Sequence, residues 1–81
     1  MKKIVIDCEY NNPVDIRCGG PRILGFDFYV KDESVDEVTA HIKQELHHFG
    51  RPLMNISVFN APENAVISTK AMISECIKDG Y

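Results

Sequence analysis

The spacing of apolar residues changes its period along the chain, and the first of these changes limits the folds that the chain can adopt. The segment KIVIDCEY (3–10) places apolar side chains at every second position, which is typical of a strand with one buried face. From Val35 onward, apolar residues recur at spacings of three and four, as on one face of a helix. The sequence therefore predicts a sheet in its first third, followed by an amphipathic helix.

Three more segments show the alternation of a strand. Residues 14–18 and 22–31 each follow a turn sequence rich in asparagine, glycine and proline, so with the first segment they predict an antiparallel meander. Residues 53–59 alternate again after the helix, with the even-numbered residues on the predicted buried side. Residues 65–67 predict either a short strand or the approach to a second helix.

Two helices are predicted from apolar stripes with start and stop signals. For the first, Ser34 and Glu37 fit a capping box, and Gly50 fits a left-handed end. The second is capped by Ser68 or Thr69. The stripes consist of Val35, Val38, Ile42, Leu46 and Phe49 in the first helix, and of Met72, Ile73, Cys76 and Ile77 in the second.

These elements together predict an α+β fold made of a single domain that spans residues 1–81. The predicted order is β-β-β-α-β-(β)-α, in which segment 65–67 is the optional strand. A two-layer sandwich satisfies this order, with two helices on one face of an antiparallel-rich sheet of roughly three to five strands. The other face would carry mixed polar side chains and can stand in water without a covering helix.

The charge and the cysteines of the chain exclude several classes of protein. The net charge of −3 gives no general attraction to phosphate backbones. Cys8, Cys18 and Cys76 form no CxxC pair or zinc-ligand spacing, and they predict free thiols in a reducing compartment. The apolar run after Met1 is far too short for a signal peptide or a membrane span. We therefore expect a soluble, cytoplasmic protein without a cofactor and without membrane contacts.

The stretch HIKQELHHFG (41–50) contains three histidines and a glutamate. Helical spacing brings His41, Glu45 and His48 onto one face, where two imidazoles and a carboxylate could hold a metal ion. The usual HExxH order is absent, and a solvated ladder of pairs from Glu37 through His41 to Glu45 explains the same pattern. We predict no metal site, and these three residues remain only a candidate set.

The stretch RCGGPR (17–22) is a second candidate site. Cys18 lies between Arg17 and Arg22, which is an environment that lowers the pKa of a thiol, and the two glycines could aim N–H groups at an anion. The spacing from Cys18 to Arg22 is C-x3-R, however, and the phosphate loop of cysteine phosphatases requires C-x5-R. We therefore expect a hairpin turn with an inward-facing cysteine.

The second half of the chain resembles that of the small DNA-damage-inducible regulators of RecA. Both have a helix, a strand and a helix, and the likeness rests on general features such as the segment from Lys70 to Glu75. Those regulators carry a strongly acidic terminal helix, whereas here Glu75 and Asp79 are balanced by Lys70 and Lys78. The resemblance therefore does not assign the chain to that family.

No group of side chains in the sequence predicts catalysis, because a domain of this size has little room for a cleft on which three groups converge. We expect a small non-catalytic protein-binding module of the regulator or inhibitor type, which acts through an open sheet face or a strand edge. A homodimer is one possible form of such a module. The predicted contact residues on the open face are Asp7, Glu9, Asp27 and Tyr29.

The alternative from another class is a small nucleic-acid-binding domain. It would use the loop residues Arg17, Arg22 and Arg51 as anion contacts, with Tyr29 as an outward aromatic. The basic residues are scattered rather than clustered, and the acidic side chains predicted around Tyr29 would repel phosphate. The sequence therefore favours another protein, of unknown identity, over nucleic acid as the partner.

Overall fold

The computed structural model describes residues 1–10 and 22–79. They form strands β1 and β2, helix α1, strand β3 and helix α2, and a short 3-10 turn (Asp32–Ser34) leads into α1. The predicted α+β class and the order of strands and helices are confirmed. The segment predicted as a strand at 14–18 lies outside the described residues. The predicted meander is wrong, because β1 pairs directly with β2. The bounds are β1 Lys2–Tyr10, β2 Arg22–Val30, α1 Val35–His48, β3 Leu53–Asn60 and α2 Lys70–Asp79.

β1 is the central strand of a three-stranded sheet with the order β2–β1–β3. It pairs antiparallel with both neighbours, so β2 and β3 run parallel to each other on opposite sides of it. The chain passes from β2 through α1 to β3, and this connection crosses over β1. Both outer strands of the described sheet are therefore edge strands.

One apolar core fills the space between the sheet and both helices, so the two helices share one face of the sheet as predicted. The even-numbered residues of β1 and β2 point into it, and α1 contributes the middle of its predicted stripe. Burying each large side chain stabilises the fold by about 1.5–3 kcal/mol. Met72 was predicted in the stripe of α2 but is exposed. The core residues are Ile4, Ile6, Cys8, Phe26, Phe28, Val30, Val38, Ile42, Leu46, Ile73 and Ile77.

β3 contains a bulge that the sequence pattern does not show. Between the pairs Asp7–Asn55 and Cys8–Leu53, β3 has one extra residue, Met54. Leu53 packs against the core as a result, while the side chain of Met54 is 55% exposed. The prediction that Met54 lies on the buried side is therefore wrong, because strict alternation ends at a bulge.

The start of α1 also differs from the prediction. Ser34 is the N-cap, but its side chain makes no capping hydrogen bond. The preceding 3-10 turn, in which Ser34 N–H donates to the Lys31 carbonyl at 2.9 Å, holds Ser34 near helical angles (φ −98°, ψ −2°) rather than in the extended conformation that N-caps use. The predicted capping box is therefore wrong, and the carboxylate of Glu37 instead accepts a hydrogen bond from Lys70 in α2.

The end of α1 confirms the prediction of a left-handed glycine. Gly50 has a φ of +65°. Its N–H donates to the His47 carbonyl at 3.1 Å, and the N–H of Arg51 donates to the Leu46 carbonyl at 2.8 Å. This pair of hydrogen bonds is a Schellman motif, which satisfies carbonyls that the helix end would otherwise leave free.

Replacing Gly50 with alanine is expected to lower the free energy of unfolding by about 1 kcal/mol, because an L side chain is strained at positive φ. No atom lies within 4 Å of the added Cβ, so steric overlap adds nothing to this loss. Urea denaturation of both proteins measures the difference. The matched control is Gln44→Ala, an exposed change within α1 that we expect to stay within about 0.5 kcal/mol of the native chain. Equal effects of the two substitutions would contradict the prediction.

The segment before α2 is attached to the outer edge of β2. Ser68 N–H donates to the Tyr29 carbonyl at 2.8 Å, and the Ser68 hydroxyl accepts a hydrogen bond from Tyr29 N–H at 3.1 Å. Thr69 is the capping residue of α2, since its Oγ1 accepts a hydrogen bond from Met72 N–H at 3.2 Å. Residues 65–67 are not a strand, so of the two predictions for them the approach to α2 is the correct one.

Candidate functional site

Along its outer side, strand β3 has backbone N–H and C=O groups that form no hydrogen bond with another strand of the described sheet. At its end, Ala61 N–H donates to the carbonyl of Met1, and such bonded pairs recur at every second residue of an antiparallel ladder. Ser57, opposite Val5, therefore bonds to β1. The alternate residues Ile56, Val58 and Asn60 therefore point their backbone groups away from β1, and these groups form a free edge.

β3 is also the strand that the helices cover least. None of its eight residues is buried, whereas β1 and β2 each contribute three side chains to the core. Val58 lies opposite the fully buried Ile4 and faces the helix layer, yet its side chain is 44% exposed. Phe59, on the opposite face of the sheet, is 54% exposed. We call the free edge of β3, together with the side chains of Met54, Val58 and Phe59, the β3 surface.

The β3 surface lacks the features that usually keep an edge strand from pairing. Its sequence, LMNISVFN, contains no charged residue and no proline, although natural edges are commonly protected by one or the other. The edge of β2 differs, because Ser68 occupies it at Tyr29 and its sequence includes Arg22 and Asp27. Of the two edges of the described sheet, the edge of β3 is the one that is open to another strand.

The open face of the sheet continues from the β3 surface. Lys3 lies between Tyr29 on β2 and Phe59 on β3, so one row across the sheet carries two aromatic rings with a lysine between them. The ammonium group of Lys3 is 3.7 Å from the carboxylate of Asp27 in the next row. Phe59 was missed as a candidate residue. Phe59 is separated from Asn55 and Ser57 by an even number of residues, so it belongs to the strand face that was predicted to be exposed to solvent. An aromatic residue on that face was the signal that could have identified it.

All four residues predicted to contact a partner lie on this open face. In the register of β1 with β2, Lys3 faces Tyr29, Asp7 follows two rows further on, and Glu9 lies at the far end of the face. Asp27 is exposed, while Asp7, Glu9 and Tyr29 are half-buried. The structure brings the four residues onto one surface, and their role in binding stays a prediction.

Of the histidines of α1, His41 lies at the contact between the two helices. Nε2 of His41 lies 3.0 Å from the hydroxyl of Ser74 and 4.0 Å from the nearest carboxylate oxygen of Glu45. His48 instead makes an edge-to-face contact with Phe49 at a centroid distance of 4.8 Å. No group of three histidine, cysteine or carboxylate side chains suited to a metal ion occurs among residues 1–10 and 22–79.

The candidates built on arginine and on Cys18 fall largely outside the described residues. Arg17 and Cys18 lie there entirely, and Arg22 is described only as the first residue of β2. Arg51 is half-buried, and one of its terminal nitrogens donates to the Lys78 carbonyl at 3.2 Å. It therefore joins the end of α1 to α2 and is not a freely exposed loop arginine.

Comparisons with protein-family models, with curated proteins and with solved structures find no match for the chain. Neither described helix is long and apolar enough to cross a membrane.

Proposed function

We propose that the chain is a small, non-catalytic protein-binding module that takes up a strand from its partner along the free edge of β3. The observation that carries this proposal is that β3 is an edge strand of eight residues, of which none is charged and none is buried. Backbone hydrogen bonds would supply much of the affinity of such an added strand, and side-chain contacts would supply its specificity.

The side chains on both faces of β3 support this mode of binding. An added strand lies about 4.8 Å from its neighbour, so its side chains fall beside those of the edge strand. Val58 would meet an apolar side chain on the helix side. Phe59 would meet a second side chain on the open face, next to Lys3 and within one row of Asp27. A partner strand with apolar residues toward the helix side fits this surface.

The test is a capture experiment with the tagged chain as bait in an extract of the native host. Val58→Lys places a charge on the β3 surface, and we expect at least a tenfold loss of captured partner, since an unpaired charge would be desolvated there. The matched control is Ile23→Lys, a change at a side chain that is 60% exposed on the other edge strand, and it should leave capture unchanged. Thermal melts of both variants establish that they remain folded.

Two outcomes of the capture experiment would contradict the proposal. Capture that is equal for the native chain and Val58→Lys would remove β3 from consideration. Capture that disappears after nuclease treatment would instead favour the nucleic-acid alternative, in which bases stack on Tyr29 and Phe59 on either side of Lys3. The carboxylates of Asp7 and Asp27 on the same face argue against that alternative.

A further inference from the structure

The absence of charge on β3 bears on the kind of partner that its edge fits. When two copies of one strand pair antiparallel about a twofold axis, a side chain close to the axis lies near its own equivalent in the other copy, and every other side chain lies opposite a different residue of the same strand. A single lysine or glutamate near the axis would therefore repel itself. The strand LMNISVFN has no charged side chain, although charged residues make up 26% of the chain. When β3 pairs with β3 of a second copy, no two like charges come together at any position of the strand.

The direction of the backbone groups restricts how two copies can pair. Ile56 and Val58 present their free N–H and C=O groups outward, so these residues must form the bonded pairs of a new ladder. Matching Ile56 of one copy with Val58 of the other pairs two of the outward residues in each copy and places the twofold axis at Ser57. On the helix side, this register brings apolar residues opposite each other. On the open face, it places Phe59 opposite Asn55 of the other copy.

We propose that the partner at the β3 surface is a second copy of this chain, paired antiparallel through β3 with the twofold axis at Ser57. The inference rests on the proposed function, because it uses the same free edge. The described sheets of the two copies become one sheet of six strands, and their four described helices lie together on one face. The exposed side chain of Val58 in each copy is then covered by the other copy at the centre of the sheet.

Cysteine cross-linking tests the position of the axis directly. In the proposed register, the two copies of Ser57 form a non-bonded pair with Cα atoms about 4.5 Å apart, which is within the range for a disulfide. Ser57→Cys should therefore give a covalent dimer under mild oxidation. The control is Asn55→Cys on the same face, whose two copies would lie about 13 Å apart along the strands, too far for a disulfide. The native chain, oxidised in parallel, gives the background from its own cysteines.

Light scattering coupled to size-exclusion chromatography tests the assembly itself. The native chain and Ile23→Lys should have the mass of a dimer, while Val58→Lys should dissociate at least about 100-fold more readily, because each lysine then lies opposite the apolar side chain of Ile56 in the other copy and its charge is desolvated without a partner. A native chain that is monomeric at about 100 µM, or a dimer that Ser57→Cys does not cross-link above background, would overturn the inference.

The two experiments separate this inference from the proposed function. If the native chain is monomeric and Val58→Lys still loses captured protein, the second copy is excluded and strand addition by another protein stands. If the native chain is monomeric and Val58→Lys captures as much as the native chain, both proposals are wrong.

Discussion

Replacing Ile6 with alanine is expected to lower the free energy of unfolding by about 2–5 kcal/mol. Ile6 lies at the middle of the central strand, is fully buried, and faces Phe26 and Ile56 on the two neighbouring strands. Alanine removes its contacts with the helix layer and leaves a cavity that strands bonded on both sides of β1 cannot easily collapse into. For a domain of 81 residues, such a loss is a large part of the total stability.

The measurement is urea denaturation followed by circular dichroism. Its matched control is Ile23→Ala, which removes the same atoms from a side chain that is largely exposed on β2, and which should change the free energy by less than about 0.5 kcal/mol. If the two substitutions have similar effects, the core is not centred on β1. Because a dimer would raise the apparent stability of the native chain at high concentration, the comparison is made at a fixed, low protein concentration.

The thiol of Cys8 is expected to react with an alkylating reagent at least about 1,000-fold more slowly in the folded chain than in urea, because it becomes accessible only when the chain opens. Its side chain is fully buried in the core. Burial raises the pKa of the Cys8 thiol, an effect that nearby Arg51 opposes and Asp7 reinforces. Quenched alkylation with peptide mass spectrometry measures the rate at each cysteine. Cys76, which is only half-buried, serves as the internal control and should react faster than Cys8.

The raised pKa of Cys8 also predicts a dependence of stability on pH. Above the ordinary pKa of a thiol, the unfolded chain loses a proton that the folded chain keeps, so the free energy of unfolding falls as the pH rises. In Cys8→Val this part of the decline, which begins at about pH 8.5, should disappear, while the contributions of the other titrating groups remain. A native chain whose decline matches that of Cys8→Val, or whose Cys8 reacts as fast as Cys76, would contradict the burial of this thiol.

Much of the fold follows from local sequence signals. The alternation in β1 and the stripe of Val38, Ile42 and Leu46 each predicted the buried residues correctly, since period and burial are linked wherever an element packs on one side. Gly50 was predicted as a helix end because few other residues adopt positive φ. These features depend on residues close together in the chain, so a single sequence contains them.

The features that failed depend on residues distant in the chain. The bulge at Met54 arises from the register of β3 on β1, which no local pattern encodes. Glu37 binds Lys70 across the helix layer rather than completing a capping box, and this too requires the tertiary arrangement. The candidate site was predicted only as a choice between an open face and a strand edge. The choice depends on strand order, which made β3 an outer strand and placed β1 at the centre.

The hydrogen bonds between Ser68 and Tyr29 have a consequence for how far the sheet can grow. If β3 of one molecule paired with β2 of the next, each new subunit would present another β3, and association would continue into filaments. Ser68 already occupies part of the β2 edge, which obstructs that arrangement. Pairing of β3 with β3 consumes the one open edge that the described sheet has in each molecule, so association stops at two. A closed pair rather than a polymer is therefore the expected product even at high concentration.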